Sequence, residues 1–212
     1  MSIQTIIDNA TSITIDKRKT AAQTVSRSGV VLTAERATNR PYRFTVSMHE
    51  GLTYSDNRAV LEELDNLDIT EEETIDIGST NTGLSYITAL RGTLGGSPTI
   101  STIAGNAMVI NTTGATGSGI ALKAGDFIQP ATGYRYPYQV VNDVAWNASS
   151  ITVTLHRPYI AQSGYSFSGK GLTLGSNVSW RVKMARKVDY SIVPYDRISF
   201  NGNFELVEII TV

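Results

Sequence analysis

The side chains able to do acid–base or metal chemistry are few. Two histidines, His49 and His156, are the whole supply of imidazole, and there is no cysteine. The missing thiols exclude a disulfide scaffold, a thiolate zinc site, an iron–sulfur cluster and a cysteine nucleophile. His49 follows an alternating stretch and stands next to Glu50; His156 lies in Leu155-His-Arg-Pro158 at a strand end. No Gly-x-Ser-x-Gly elbow, His-Glu-x-x-His pair, EF-hand loop or Walker lysine accompanies them. Turn or interface roles suit both histidines better than catalysis. Carboxylates cluster at Glu62-Glu63 and Glu71-Glu72-Glu73. Adjacent helical residues do not face each other, so Glu62 and Glu63 make a poor acid–base dyad and a good solvated face. Gly114, Gly117 and Gly119 sit among Ser and Thr with no helix after them, which reads as a loop rather than a phosphate cradle. The expectation is a protein that is not an enzyme, with no catalytic, cofactor-binding or metal-binding residue assigned.

Aromatic and basic residues interleave once, at Tyr134, Arg135, Tyr136 and Tyr138. On a positively charged barrel such a cluster could stack nucleobases or sugars. It equally suits a protein–protein contact, where Tyr and Arg are enriched, or plain packing.

The elements that must position these residues are mostly strands. Alternation at period two marks Ser12–Asp16, Tyr42–Met48, Ala107–Asn111, Ile151–Leu155, Val178–Met184 and Phe204–Ile210. One amphipathic helix is expected over residues 55–67, with Val60, Leu61, Leu64 and Leu67 on one face and Ser55 as its cap. Residues 92–119 are rich in Gly, Ser, Thr and Ala and read as turns between short strands. The fold class expected is mainly β: an antiparallel β-barrel or sandwich flanked by one α-helix, plus an inserted small OB-like β-barrel. The β domain takes residues 1–90 and 191–212, and the inserted module residues 91–190. The final stretch, Phe204–Ile210, reads as the closing strand of the first domain.

The chain has 212 residues, 41% hydrophobic and 17% charged, with a net charge of −1. That is long enough for a real core and too apolar for disorder. No apolar run approaches the roughly 18 residues of a membrane span. Met1-Ser-Ile-Gln-Thr5 lacks the basic and apolar stretches of a secretory leader, so a soluble protein made in the cytoplasm is expected. The near-neutral total hides a division. Residues 91–190 hold nine basic and three acidic side chains; the remainder holds nine basic and sixteen acidic. Within the remainder, Lys17, Arg18 and Lys19 are basic, whereas Glu62, Glu63, Glu71 and Glu72 belong to an acidic stretch. Opposite patches suit head-to-tail contacts in a ring; solvated faces are the plainer account.

The order of these stretches carries a resemblance. Ser12–Arg18, Tyr42–Met48 and the helix ending Leu61–Asp65 resemble the N-terminal part of tailed-phage distal tail proteins. Leu122-Lys-Ala-Gly-Asp-Phe-Ile-Gln129, Tyr138–Val144, Ile151–Pro158, Leu174–Val182 and Ile198–Glu208 continue an order similar to the lineage with an OB-type barrel inserted in that domain, and to baseplate hub proteins. The resemblance implies a structural virion protein in the phage tail. It would form a homo-oligomeric ring, most simply a hexamer, at the distal end, made in the host cytoplasm. Its partners would be the tail tube protein and tail tip, baseplate or fibre proteins. DNA would pass through its channel without sequence-specific binding, and no membrane insertion is implied. The alternative is a β-barrel binding module that recognises oligosaccharide or nucleic acid through the basic insert.

Overall fold

Alternation along five segments builds the first sheet. The strands are β1 (Ala10–Asp16), β4 (Arg43–Met48), β5 (Glu73–Asp76), β16 (Ser179–Arg186) and β19 (Phe204–Glu208), hydrogen-bonded in the order β1-β4-β19-β16-β5 with every pair antiparallel. These come from a computed structural model that describes residues 3–17, 21–25, 31–35, 41–49, 51–66, 71–78, 83–133 and 135–211. Phe44, Val46 and Met48 from β4, Ile75 from β5, Trp180, Val182 and Met184 from β16, and Phe204 and Leu206 from β19 face one core. Each such side chain contributes roughly 1.5–3 kcal/mol of burial. Between β1 and β4, β2 (Ala21–Val25) pairs with β3 (Val31–Glu35) as a separate hairpin. The fold is mainly β, as expected.

The expected helix is α2 (Tyr54–Asp65), and it turns Leu61 and Leu64 into the core. Leu67 lies outside the described residues. Its start differs from the expected serine cap. Thr53 takes the cap position, and its hydroxyl bonds Asp56 Oδ2 at 2.5 Å. The Ser55 N–H donates instead to Asp196 Oδ1, 3.0 Å away on a distant hairpin, and the Ser55 hydroxyl bonds the other carboxylate oxygen. A second helix, α1 (Ile3–Asp8), was not foreseen. Its six residues are too few to show a period, and its isoleucines mimic a strand. It buries Ile3, Ile6 and Ile7 and packs beside β5. Gln4 acts there as a strand partner: its Oε1 accepts from the Asp76 N–H at 2.7 Å and its Nε2 donates to the Asp76 carbonyl at 2.8 Å.

The chain leaves this sheet after β5 and returns in β16, beside the strand it left, with Ser179 opposite Asp76. The middle of the sequence is therefore an excursion between two paired strands. It contains β6 (Gly95–Gly96), β7 (Thr99–Ala104), β8 (Ala107–Asn111), β9 (Ala115–Thr116), β10 (Ile120–Leu122), β11 (Phe127–Pro130), β12 (Tyr138–Gln139), β13 (Val144–Ala145), β14 (Ser150–Thr154) and β15 (Leu172–Leu174). They form short sheets, β14-β8-β7, β12-β11-β15, β10-β13 and β6-β9. These surround a second core that includes Ile100, Met108, Ile110, Leu122, Ile128, Val140, Ile151 and Val153. After β16 comes the hairpin of β17 (Tyr190–Val193) and β18 (Arg197–Phe200).

The boundary expected near residue 190 differs from the one the pairing draws. The stretch Val178–Met184, assigned to the insert, is the interior of the first sheet. Alternation reports that a strand has one buried face; it does not say which sheet owns it. The charge division changes with it. Arg181, Lys183, Arg186 and Lys187 leave the insert's count, and residues 78–178 hold five basic and two acidic side chains.

Candidate interaction surfaces

The two cores meet at a buried ion pair that the sequence did not single out. Arg157, after β14, is fully enclosed, and so is Glu208 at the end of β19. Arg157 donates from Nη1 to Glu208 Oε2 at 2.5 Å and from Nη2 to Oε1 at 2.8 Å, with a further bond from Nη2 to the Pro137 carbonyl at 2.8 Å. Glu208 Oε2 also accepts from the Tyr42 N–H at 2.9 Å. The guanidinium carbon stands 4.8 Å from the Tyr42 ring centre and 5.3 Å from that of Tyr138. Burial alone would lower the arginine's pKa, but the Glu208 carboxylate outweighs it and the net shift is upward. Burial pushes the Tyr42 phenol well above its usual range and that of Tyr138 up to about 12. His156 belongs to the same cluster: its Nδ1 accepts from the Gln139 N–H at 2.9 Å, and its ring lies 5.1 Å from that of Tyr42.

Phe127 joins the cores from the other side. It belongs to the insert's β11, yet it packs in the first core, 5.4 Å from Trp180 ring to ring. Gln129 pins β11 to β16, donating to the Ser179 carbonyl at 2.6 Å and accepting from the Ser179 N–H at 3.1 Å. This chemistry is structural: apolar planes and paired charges hold two modules together.

Two of the three clustered tyrosines offer no stacking face. Tyr136 and Tyr138 are 2% and 1% exposed, with their rings in the second core. The Tyr136 hydroxyl accepts from the Thr211 N–H at 2.8 Å and donates to the Thr211 carbonyl at 3.0 Å, and that of Tyr138 accepts from the Ile160 N–H at 3.1 Å. Arg135 is exposed, and Tyr134 lies outside the described residues. The tyrosines' amphipathic character made burial and display equally legible from sequence.

The residues expected at a ring contact divide. Arg18 and Lys19 lie outside the described residues. Lys17 directly follows β1, one edge of the first sheet, whereas Glu71 and Glu72 directly precede β5, the other edge. Glu72 is engaged within the chain, by Arg181 at 2.5 Å and Lys183 at 3.7 Å. Those are two of the cations that had been counted in the insert. Glu71 and, on α2, Glu62 are exposed; Glu63 is also on α2, and its side chain lies outside what the structure describes. His49 is exposed and lines an open cleft of about 560 Å³ with Thr11, Ser47, Met48, Phe200 and Asn203.

A smaller cleft, of about 300 Å³, lies where β1 faces the insert. Its walls are Ile13, Ile15, Ile87 and Phe127, with Tyr86 at the rim, 70% exposed. Lys17 and Gln139 supply its polar groups. Partial burial lowers the Lys17 pKa, and among the described residues no carboxylate pairs with its amine. Gln139 donates from Nε2 to the Gly125 carbonyl at 2.8 Å, while its Oε1 is buried and has no donor among the described residues. The alternation of Ile13, Ile15 and Lys17 was the sequence's one signal of this site. Tyr86, Phe127 and Gln139 arrive only through the fold.

Compared with known protein families and with curated proteins, the chain matches no family model and no curated protein.

Proposed function

We propose that the chain is a structural assembly protein, a ring component at the distal end of a phage tail whose inserted module, an OB-type barrel, sits on the ring's outer side. The observation that carries this reading is the excursion between β5 and β16. A continuous antiparallel sheet with a covering helix, interrupted once by a second core, is the arrangement the sequence resemblance implies. The charges at the sheet edges agree in kind. Lys17 stands beside the β1 edge and Glu71 beside the β5 edge, so a head-to-tail neighbour brings opposite charges together and fixes register. Because Gln4 takes both main-chain groups of Asp76 on β5, that contact is made by side chains rather than by extending the sheet.

The reading as a ligand-binding module is weaker. It needs tyrosine faces free for a base or sugar, and two of its three tyrosines are buried.

The test is solution mass by light scattering, with negative-stain images of the same sample. A closed ring is expected, most simply a hexamer, weakened by added salt. Lys17→Glu and Glu71→Lys should each reduce assembly, and the double variant should recover it. A protein that stays monomeric at every concentration and salt, alone and with tail tube protein, overturns the reading. Rings whose salt dependence ignores both substitutions would place the contact elsewhere.

A further inference from the structure

We propose that the cleft between β1 and the insert binds an extended segment of a partner protein, bearing a carboxylate two residues away from an aliphatic side chain. The edge position of β1 comes first: its one strand neighbour among the described residues is β4. An extended segment can therefore add to its outer side by main-chain hydrogen bonds. Ile13, Ile15 and Lys17 are alternate residues and line the same cleft. They recur about every 7 Å along the strand, and an added strand carries its own alternate side chains at the same interval. An aliphatic side chain opposite Ile13 or Ile15 would lie against Ile87 and Phe127. Two positions along, the added strand meets the Lys17 amine, which calls for an anion. The buried Gln139 Oε1 calls for an N–H. An extended peptide offers all three; an aliphatic carboxylic acid offers no N–H, and a bare anion offers neither N–H nor apolar body.

A second copy of the chain is the less suited occupant. At its other sheet edge, β5, Gln4 already takes the N–H and the carbonyl of Asp76, which shortens the row of main-chain groups it could add.

The experiment titrates full-length protein into fluorescein-labelled seven-residue peptides and follows anisotropy, with light scattering on the same mixture. The first peptide has glutamate at its second position, isoleucine at its fourth and sixth, and threonine elsewhere. The second replaces the glutamate by lysine; the third replaces both isoleucines by serine. Saturable one-to-one binding of the first, weakened about tenfold in the second and third, is expected. Lys17→Glu should reverse the preference between the first two, a swap that loss of folding cannot produce. Tyr86→Ala, at the exposed rim, should weaken the first peptide and leave thermal unfolding unchanged. Binding that ignores Lys17→Glu overturns the proposal, as does no binding up to about 1 mM protein. A particle mass that falls as peptide is added would show that a second copy occupies the edge. That outcome overturns the partner segment and strengthens the ring reading, so the two fail separately.

Discussion

Glu208 shows how strongly one side chain can be constrained. Its position on β19 follows two apolar residues of the same face, Phe204 and Leu206, and the burial pattern there calls for a third. A carboxylate stands instead, because Arg157 arrives from the insert with two hydrogen bonds and Tyr42 brings an amide. Removing one member of a buried pair leaves the other as an uncompensated charge, which costs about 3–5 kcal/mol. Glu208→Ala should therefore destabilise the protein by that amount in urea unfolding. Replacing both members by apolar residues of similar volume, Arg157→Met with Glu208→Leu, should recover most of the loss. Equal destabilisation in the single and double variants would mean that shape, rather than charge, holds the junction.

At the scale of elements, the turn joining β17 to β18 works against its own backbone. Tyr195 and Asp196 both take left-handed conformations, with φ of 68° and 59°. Such a conformation costs an L-residue roughly 1–2 kcal/mol. Asp196 has a compensating role, since its carboxylate holds the first turn of α2 at Ser55. Tyr195 is 94% exposed and has no comparable contact among the described residues. Tyr195→Gly should therefore stabilise the protein by up to about 1 kcal/mol, whereas Asp196→Gly should give no gain, because losing the carboxylate's bonds to Ser55 costs about as much as the turn relief returns. Thermal unfolding of the two variants checks the contrast in sign. The same hairpin shows what sequence could and could not tell. Six alternating stretches all became strands, because a pleat with one buried face imposes period two on its own residues. Helix α2 was legible for the corresponding reason, and only its cap was misplaced: Ser55 was local, while the carboxylate it bonds lies 141 residues away. Pairing partners carry no local signature, so Val178–Met184 was given to the wrong module. The candidate cleft divided in the same way, with Lys17 readable beside Ile13 and Ile15, and Gln139 and Phe127 invisible until the chain closed.

Over the whole molecule, the question is whether two cores behave as two domains. Each has its own apolar cluster; the chain leaves the first sheet after β5, returns in β16, and after β19 packs Ile210 on the second core. Left at that, separate unfolding would be expected. The contents of the junction argue otherwise. Phe127 belongs to one module by sequence and to the other by packing, Gln129 bonds both main-chain groups of Ser179, and Glu208 is shielded from water only while Arg157 is in place. If the insert unfolded alone, Trp180 would lose the ring against its edge, and Glu208 would lose its partner ion. The first sheet could not stay unchanged, so the two cores should unfold together. The two tryptophans make this measurable, since Trp146 packs on the second core and Trp180 lies in the first. In a Trp146→Phe background, Trp180 fluorescence and far-ultraviolet circular dichroism should trace a single urea transition. Adding Phe127→Ala, which removes the shared ring at a cost of about 3–5 kcal/mol, should split it, with the dichroism change running ahead of the fluorescence. Two separated transitions before that substitution would show that the junction fastens the modules without coupling their folding.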